Sequence, residues 1–257
     1  MSSEVVSELM REHIVKLVAS GRRADGRGPE ETRKLTIEKN YIKTAEGSAR
    51  VRLGNTDVLV GVKIGIGEPY PDTPTSGVLT TSAELVPLAS PTFESGPPSP
   101  TAIEIARVVD RGIRETKTVD MSKLVITPGE KVWVLFIDIH ALDYDGNLFD
   151  AASYGTLAAL SCATMRGAKL GVPDRPLPVD HWPISITAAK IRNTIVFDPA
   201  LDEERIADAR LTVATDENGD VRAMQKGLTG SFSYDEVRYV ISTARRLGNE
   251  IRGIVRA

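Results

Sequence analysis

The chain has 257 residues, 32 lysines and arginines against 35 acidic residues, and a formal net charge of −3. An apolar content of 41% with nearly balanced charge excludes a disordered polypeptide. A pI near 5.8 excludes a protein that coats nucleic acid over its whole surface, but it leaves room for a local basic patch.

From the N-terminus, Val5, Val6, Leu9, Ile14, Leu17 and Val18 share one stripe and predict a helix over residues 4–20, with Gly21 as its stop. Residues 22–34 are charged and rich in glycine and proline, so an extended connection is expected. Alternating apolar residues between 34 and 66 predict an antiparallel meander, with a hairpin turn at Asn55-Thr56-Asp57. Residues 67–100 hold eight of the fifteen prolines, which limits this stretch to a functional or partner-binding loop with short strand around Val78–Leu88. Ser99 and Pro100 then read as the cap and first position of a helix running to about Thr118, with Ile103, Ala106, Val109 and Ile113 as its apolar stripe.

Strands are expected at Val125–Ile126 and Val132–Ile139, the second nearly all apolar and hence central. A turn at Asp145-Gly146 precedes an alanine-rich helix over 150–169. Four more strands follow, at Ile184–Thr187, Thr194–Phe197, Leu211–Thr215 and Val221–Gln225. A capping box from Ser233 to Glu236 opens the last helix. Helices and strand clusters in this order indicate an α+β fold. Cys162 is the only cysteine, so no intrachain disulfide forms, and a reducing cytoplasmic setting is expected. No apolar run reaches the roughly 18–20 residues that span a bilayer. The polar N-terminus does not read as a secretory signal, so no membrane partner is expected.

Several chemical motifs fail on spacing. Gly61, Gly65 and Gly67 follow a strand, but Pro69-Tyr70-Pro71 stands where a phosphate-binding helix is needed. Asp143, Asp145 and Asn147 begin like a calcium loop, but Leu148 and Tyr154 occupy the glycine and glutamate positions. His13, His140 and His181 are scattered, so no metal site or other cofactor is expected. More informative is the row Arg107, Arg111 and Arg114, at i, i+4 and i+7 of the predicted helix. It is either a track for phosphates or a solvated face neutralised by Glu104, Asp110 and Glu115. Asp198, Asp202, Glu203, Glu204 and Asp208 are either a cation or acid/base site or a solvated helical turn.

Taken together, Arg23-Ala24-Asp25-Gly26-Arg27, Glu46-Gly47-Ser48-Ala49, Leu53-Gly54-Asn55-Thr56, the stretch Ala102–Arg111 and the Asp145-Gly146-Asn147 turn resemble the ribonuclease PH family. The resemblance runs from about residue 22 to the C-terminus and is strongest to the non-catalytic ribonuclease PH-like subunits of the archaeal exosome. It implies two halves like domain 2 of ribosomal protein S5: an N-terminal helix and arm over 1–33, then halves at 34–190 and 191–257. It also implies phosphorolysis, in which inorganic phosphate attacks the 3′-terminal phosphodiester of RNA.

Active members bind phosphate with a Gly-Gly-Thr-Arg or Gly-Ser-Arg type loop at the head of the helix after the Asp-Gly turn. Here that stretch is Asn147-Leu148-Phe149-Asp150-Ala151-Ala152, and Asp150 reads as a helix cap that would repel an anion. Where active members carry a catalytic aspartate, the match is Asp208-Ala209-Arg210-Leu211, with an arginine in the acid's place. The resemblance thus implies a catalytically silent RNA-binding subunit, with Arg107, Arg111 and Arg114 on single-stranded RNA. Its partners would be a paralogous catalytic subunit, alternating with it in a hexameric ring, and cap subunits with S1 or KH domains. The alternatives are an active ribonuclease PH-like phosphate-dependent 3′-to-5′ exoribonuclease or tRNA 3′-end processing enzyme, and a ring scaffold without RNA contact.

Overall fold

The computed structural model of the chain describes residues 8–168, 171 and 173–257. The expected meander is present as β1 (Leu35–Lys39), β2 (Gly47–Leu53) and β3 (Thr56–Gly67). Its second turn is the two-residue Gly54-Asn55, earlier than the Asn55–Asp57 turn expected. Leu53 already pairs with Thr56, and Gly54 adopts φ 60°, which suits glycine at the first central position of a hairpin. Within the proline-rich stretch lies β4 (Val78–Leu85), near the strand expected there, and β5 (Val125–Thr127) and β6 (Lys131–Asp143) come later. The sheet order is β1-β2-β3-β6-β4, with β5 also on β6. As expected, β6 is central: it runs antiparallel to β3 and parallel to β4. Leu135, Ile137, Ile139 and Ala141 enter the core, while Phe136, Asp138 and His140 face outward at the two-residue period of a strand.

A short ribbon of β7 (Thr164–Met165) and β8 (Arg175–Pro176) separates this sheet from a second one. The second sheet contains β9 (Ile184–Ile191), β10 (Thr194–Phe197), β11 (Ala209–Thr215) and β12 (Val221–Gly227) in the order β10-β9-β11-β12, all antiparallel. It takes β9 from the segment expected to end the first half at residue 190.

Among the described residues, five α-helices join the sheets: α1 (Glu8–Ala19), α2 (Pro100–Glu115), α3 (Leu148–Ser161), α4 (Leu201–Ile206) and α5 (Tyr234–Arg256). The first ends at Ala19, one residue before the predicted end, and residues 4–7 of the predicted helix, Val5 and Val6 among them, lie outside the described residues. Its Ile14 and Val18 pack with Ala189, Ile191, Val196 and Ile206, so α1 belongs with the second sheet. Small residues let α3 fit between the sheets. Every residue from Leu148 to Leu160 except Ser153 is buried, and a Cβ on Gly155 would lie 2.8 Å from Val60 Cγ2. The helix ends at Ser161 rather than near 169, because the chain turns away to bond at the sheet edge. Thr164 N–H donates to Glu46 O at 2.8 Å, and Leu177 N–H donates to Ala163 O at 2.9 Å. Residue 169 itself lies outside the described residues. The predicted capping box starts α5: Ser233 Oγ accepts from Glu236 N–H, and Glu236 Oε2 accepts from Ser233 N–H.

The arm after α1 is extended, as expected, and arginines bolt it to the second half. Arg23 donates to both oxygens of Glu203 and to the carbonyls of Phe197 and Asp198. Arg33 binds both oxygens of Asp198, at 2.7 and 3.0 Å, and the carbonyl of Asp145 at 2.6 Å. Asp198 and Glu203 are buried, so the acidic stretch is not a solvated turn at these positions. Removing one member of such a pair strands the other charge without a partner. Arg33→Ala should therefore lower the unfolding free energy by roughly 3–5 kcal/mol in urea denaturation; a loss below about 1 kcal/mol would contradict this role.

Candidate nucleic-acid interface and the head of α3

Helix α2 starts as its sequence predicts: Ser99 Oγ accepts from Ala102 N–H at 3.2 Å, and Pro100 takes the first turn. It ends at Glu115 rather than Thr118, because Lys117 adopts φ 53°. Thr118 N–H then bonds Ile113 O, and Lys117 N–H bonds Arg114 O, the paired bonds of a Schellman motif. The buried face is Ala102, Ile105, Ala106, Val109 and Ile113. Ile103, expected in that stripe, is instead 48% exposed, since Ile105 faces the core.

The helix presents Arg107, Arg111 and Arg114 together on an exposed face, beside an open groove that Thr81, Asp110 and Glu115 also line. Two of the acids expected to neutralise this row have other partners as well. Glu104 is held by Arg210 Nη2 at 2.6 Å. Asp110 accepts from Arg114 Nε at 2.5 Å and Thr81 Oγ1 at 3.2 Å. Arg114 also donates to Leu79 O at 2.6 Å, fastening α2 to β4. Arg111 donates only to the neutral amide of Gln225, at 3.2 Å, and Arg107 has no hydrogen bond or ion pair among the described residues.

At the head of α3, the cap position belongs to Asn147, with φ 53°, and not to Asp150. Asp150 is the third residue of the helix, and its carboxylate turns inward. It accepts from Asn147 Nδ2 at 2.8 Å, Thr187 N–H at 2.9 Å and Thr187 Oγ1 at 2.7 Å. The expectation that Asp150 caps the helix is corrected by the left-handed Asn147, which moves the helix start upstream.

A helix N-terminus attracts anions through its free N–H groups and dipole. Here the chain supplies its own anion. Glu204 Oε2 accepts from Asn147 N–H at 3.0 Å and from the Tyr144 hydroxyl at 3.2 Å. Arg210 lies alongside, its guanidinium 4.0 Å from the Phe149 ring centre and 3.7 Å from Glu204. Thus Asp198, Glu203 and Glu204 of the acidic stretch are structural partners; among the described residues no group of three or more metal-ligating side chains is placed to hold an ion. Arg210, and Glu204 as part of the acidic stretch, stand out in the sequence, but the contact of Glu204 with the head of α3 and the Arg23–Arg33 clamp do not. No local pattern links residues this far apart, and the only signal was an excess of acids opposite an arginine-rich arm.

Burial raises the pKa of two carboxylates in this region, but their net shifts have opposite signs. Burial raises the Asp198 pKa, but the bonds from Arg33 and Asn147 outweigh it and hold the group below its ordinary value. For Asp150, burial prevails over the bonds from Asn147 and Thr187 and pushes the carboxyl up to about 7. The folded chain therefore binds this proton more tightly than the unfolded chain, whose aspartates titrate near ~3.9. Its stabilising contribution is full below about pH 4 and is lost as pH rises through about 7. Relative to Asp150→Asn, the wild type should lose on the order of 4 kcal/mol of unfolding free energy between about pH 4 and pH 8; parallel stability curves would contradict this.

Comparison with known proteins agrees with this architecture. Domain 1 of the 3′ exoribonuclease family, RNase_PH, matches residues 31–166, and domain 2 of the same family matches residues 181–246. The chain is 54% identical to exosome complex component Rrp42 of Thermococcus kodakarensis, covering 97% of this chain and 95% of that protein. It is 51% identical to the protein of the same name from Thermoplasma acidophilum, covering 98% and 96%. Among solved structures, a chain of the Archaeoglobus fulgidus exosome with RNA bound to the active site superposes with a TM-score of 0.93 at 46% identity, covering 96% of this chain and 97% of that one. A chain of an archaeal exosome core gives 0.90 at 41% identity, covering 97% of each. With both family domains matched in order and the ribonuclease PH-like fold present, the chain belongs to the 3′ exoribonuclease, or ribonuclease PH, family.

Proposed function

We propose that this chain is a non-catalytic ring subunit of an archaeal-type RNA exosome. It holds single-stranded RNA with α2 while a paralogous subunit performs 3′-to-5′ phosphorolysis. The observation that carries this reading is the contrast between the two helix surfaces. Among the described residues the row on α2 keeps Arg107 unpaired and Arg111 bound only to an amide, whereas at the head of α3 the Asn147 N–H is already taken by the Glu204 carboxylate. Phosphoryl transfer requires a preorganised site for the incoming phosphate. A carboxylate on the Asn147 N–H and an arginine in place of an acid at residue 210 both work against such a site.

Within this reading Arg107 and Arg111 grip phosphates. Arg114 adds charge from a fixed position at the end of the row, where its bonds to Asp110 and Leu79 limit its reach. The catalytic paralogue alternates with this chain in a hexameric ring, S1 or KH cap subunits join it, and the assembly works in the cytoplasm. The high identity to exosome components over nearly the full chain supports this assignment.

The purified chain should release no nucleoside diphosphate from RNA and phosphate, while its mixture with the catalytic paralogue should; robust phosphate-dependent release by the chain alone would overturn the reading. In the assembled complex, Arg107→Ala with Arg111→Ala should weaken RNA binding. It should also flatten the log–log salt slope by about 1.4, the share of two single-strand phosphate contacts. An unchanged slope would refute those contacts.

A further inference from the structure

Resting on the reading of α2 as the RNA-contacting helix, we propose that Arg210 is a positioning residue that keeps Arg107 available to RNA by holding Glu104. Glu104 and Arg107 are three residues apart on α2, a spacing at which an acid and a base meet on the helix surface. Left to itself, Glu104 would pair with Arg107 and cancel the charge offered to a phosphate. It is instead bound at 2.6 Å by a guanidinium from the second sheet. The other acid three residues from Arg107 is Asp110, which is held by Arg114 and Thr81.

The seat of Arg210 is built to keep it in place. On the neighbouring strand its register partner is Gly227, where a Cβ would lie 2.6 Å from Arg210 Nη2, so any larger residue would intrude on the guanidinium. The guanidinium lies over the Phe149 ring, and Glu204 flanks it at 3.7 Å. The arginine is buried, whereas the Glu104 side chain is about a third exposed, so Arg210 is the fixed member and Glu104 the one drawn to it. An arginine at the position where active relatives carry a catalytic acid thus gains a second role. It removes one carboxylate from the field of the arginine row.

The test is RNA binding, followed by fluorescence anisotropy of a labelled single-stranded oligoadenylate, on the full chain assembled with its catalytic paralogue across a salt series. Arg210→Met, which keeps the apolar stem over Phe149, should weaken binding and flatten the salt slope by about 0.7, the share of one single-strand phosphate contact and the same change as Arg107→Ala. Adding Glu104→Gln to Arg210→Met should restore the wild-type slope, a rescue that a merely structural role for Arg210 would not produce. Glu104→Gln alone should leave the slope unchanged. If the methionine variant does not fold, Arg210→Gln replaces it with the same expectations. Should Arg107→Ala weaken binding while the Arg210 variant does not, or should Glu104→Gln fail to rescue, the role of Arg210 is overturned and the RNA reading stands. Should Arg107→Ala itself change nothing, both fall.

Discussion

The structure depends on buried carboxylates that have found partners far away in the chain. Asp198 is the centre of this system. Arg33 and Asn147 hold its two oxygens, and Asn147 in turn holds Asp150, which bonds Thr187 on β9. One connected network of hydrogen bonds around the Arg33–Asp198 ion pair thereby joins the N-terminal arm, the Asp145–Asn147 turn, the head of α3 and the second sheet. Buried charges are tolerated only when paired and hydrogen-bonded, so these elements cannot separate without stranding one. The same network fixes what the head of α3 can do. Nearby, Glu204 places a carboxylate on the first free N–H of the helix, a negative charge that works against an incoming phosphate in the proposed reading.

Charge sorting on α2 follows from the same logic. The helix carries arginines and acids in similar numbers, which from sequence alone reads as a neutral face. Tertiary contacts decide otherwise, because Arg210 takes Glu104, and Thr81 joins Arg114 on Asp110. The remaining charge is positive and local. This is how a chain of net charge −3 can meet RNA at one edge while its average composition argues against nucleic acid. The stretch 198–208 holds five acids against the single Arg205, and part of that negative charge is consumed internally by Arg23 and Arg33.

Elements governed by local rules were legible in the sequence. The meander, the central β6, the Ser99 cap and the Ser233 capping box each follow from alternation or cap chemistry within a few residues. Errors came where a distant contact or one left-handed residue decided. Lys117 ended α2 early, Asn147 took the cap expected of Asp150, and pairing at the sheet edge ended α3 at Ser161. The arginine row itself was readable from helical spacing, but its freedom to bind was not. In the proposed arrangement that freedom rests on the hold of Arg210 on Glu104, and Arg210 is more than ninety residues away in the chain. The motifs shared with the ribonuclease PH family carried the fold, and the family comparison bore that out.

The proposed path takes RNA along α2 and away from the head of α3. Photo-crosslinking of 4-thiouridine-containing single-stranded RNA to the assembled complex, with the attached peptides identified by mass spectrometry, tests it most directly. The account predicts crosslinks in peptides from the Arg107–Arg114 face. Crosslinks confined to the Asn147–Asp150 region, with none on α2, would contradict it.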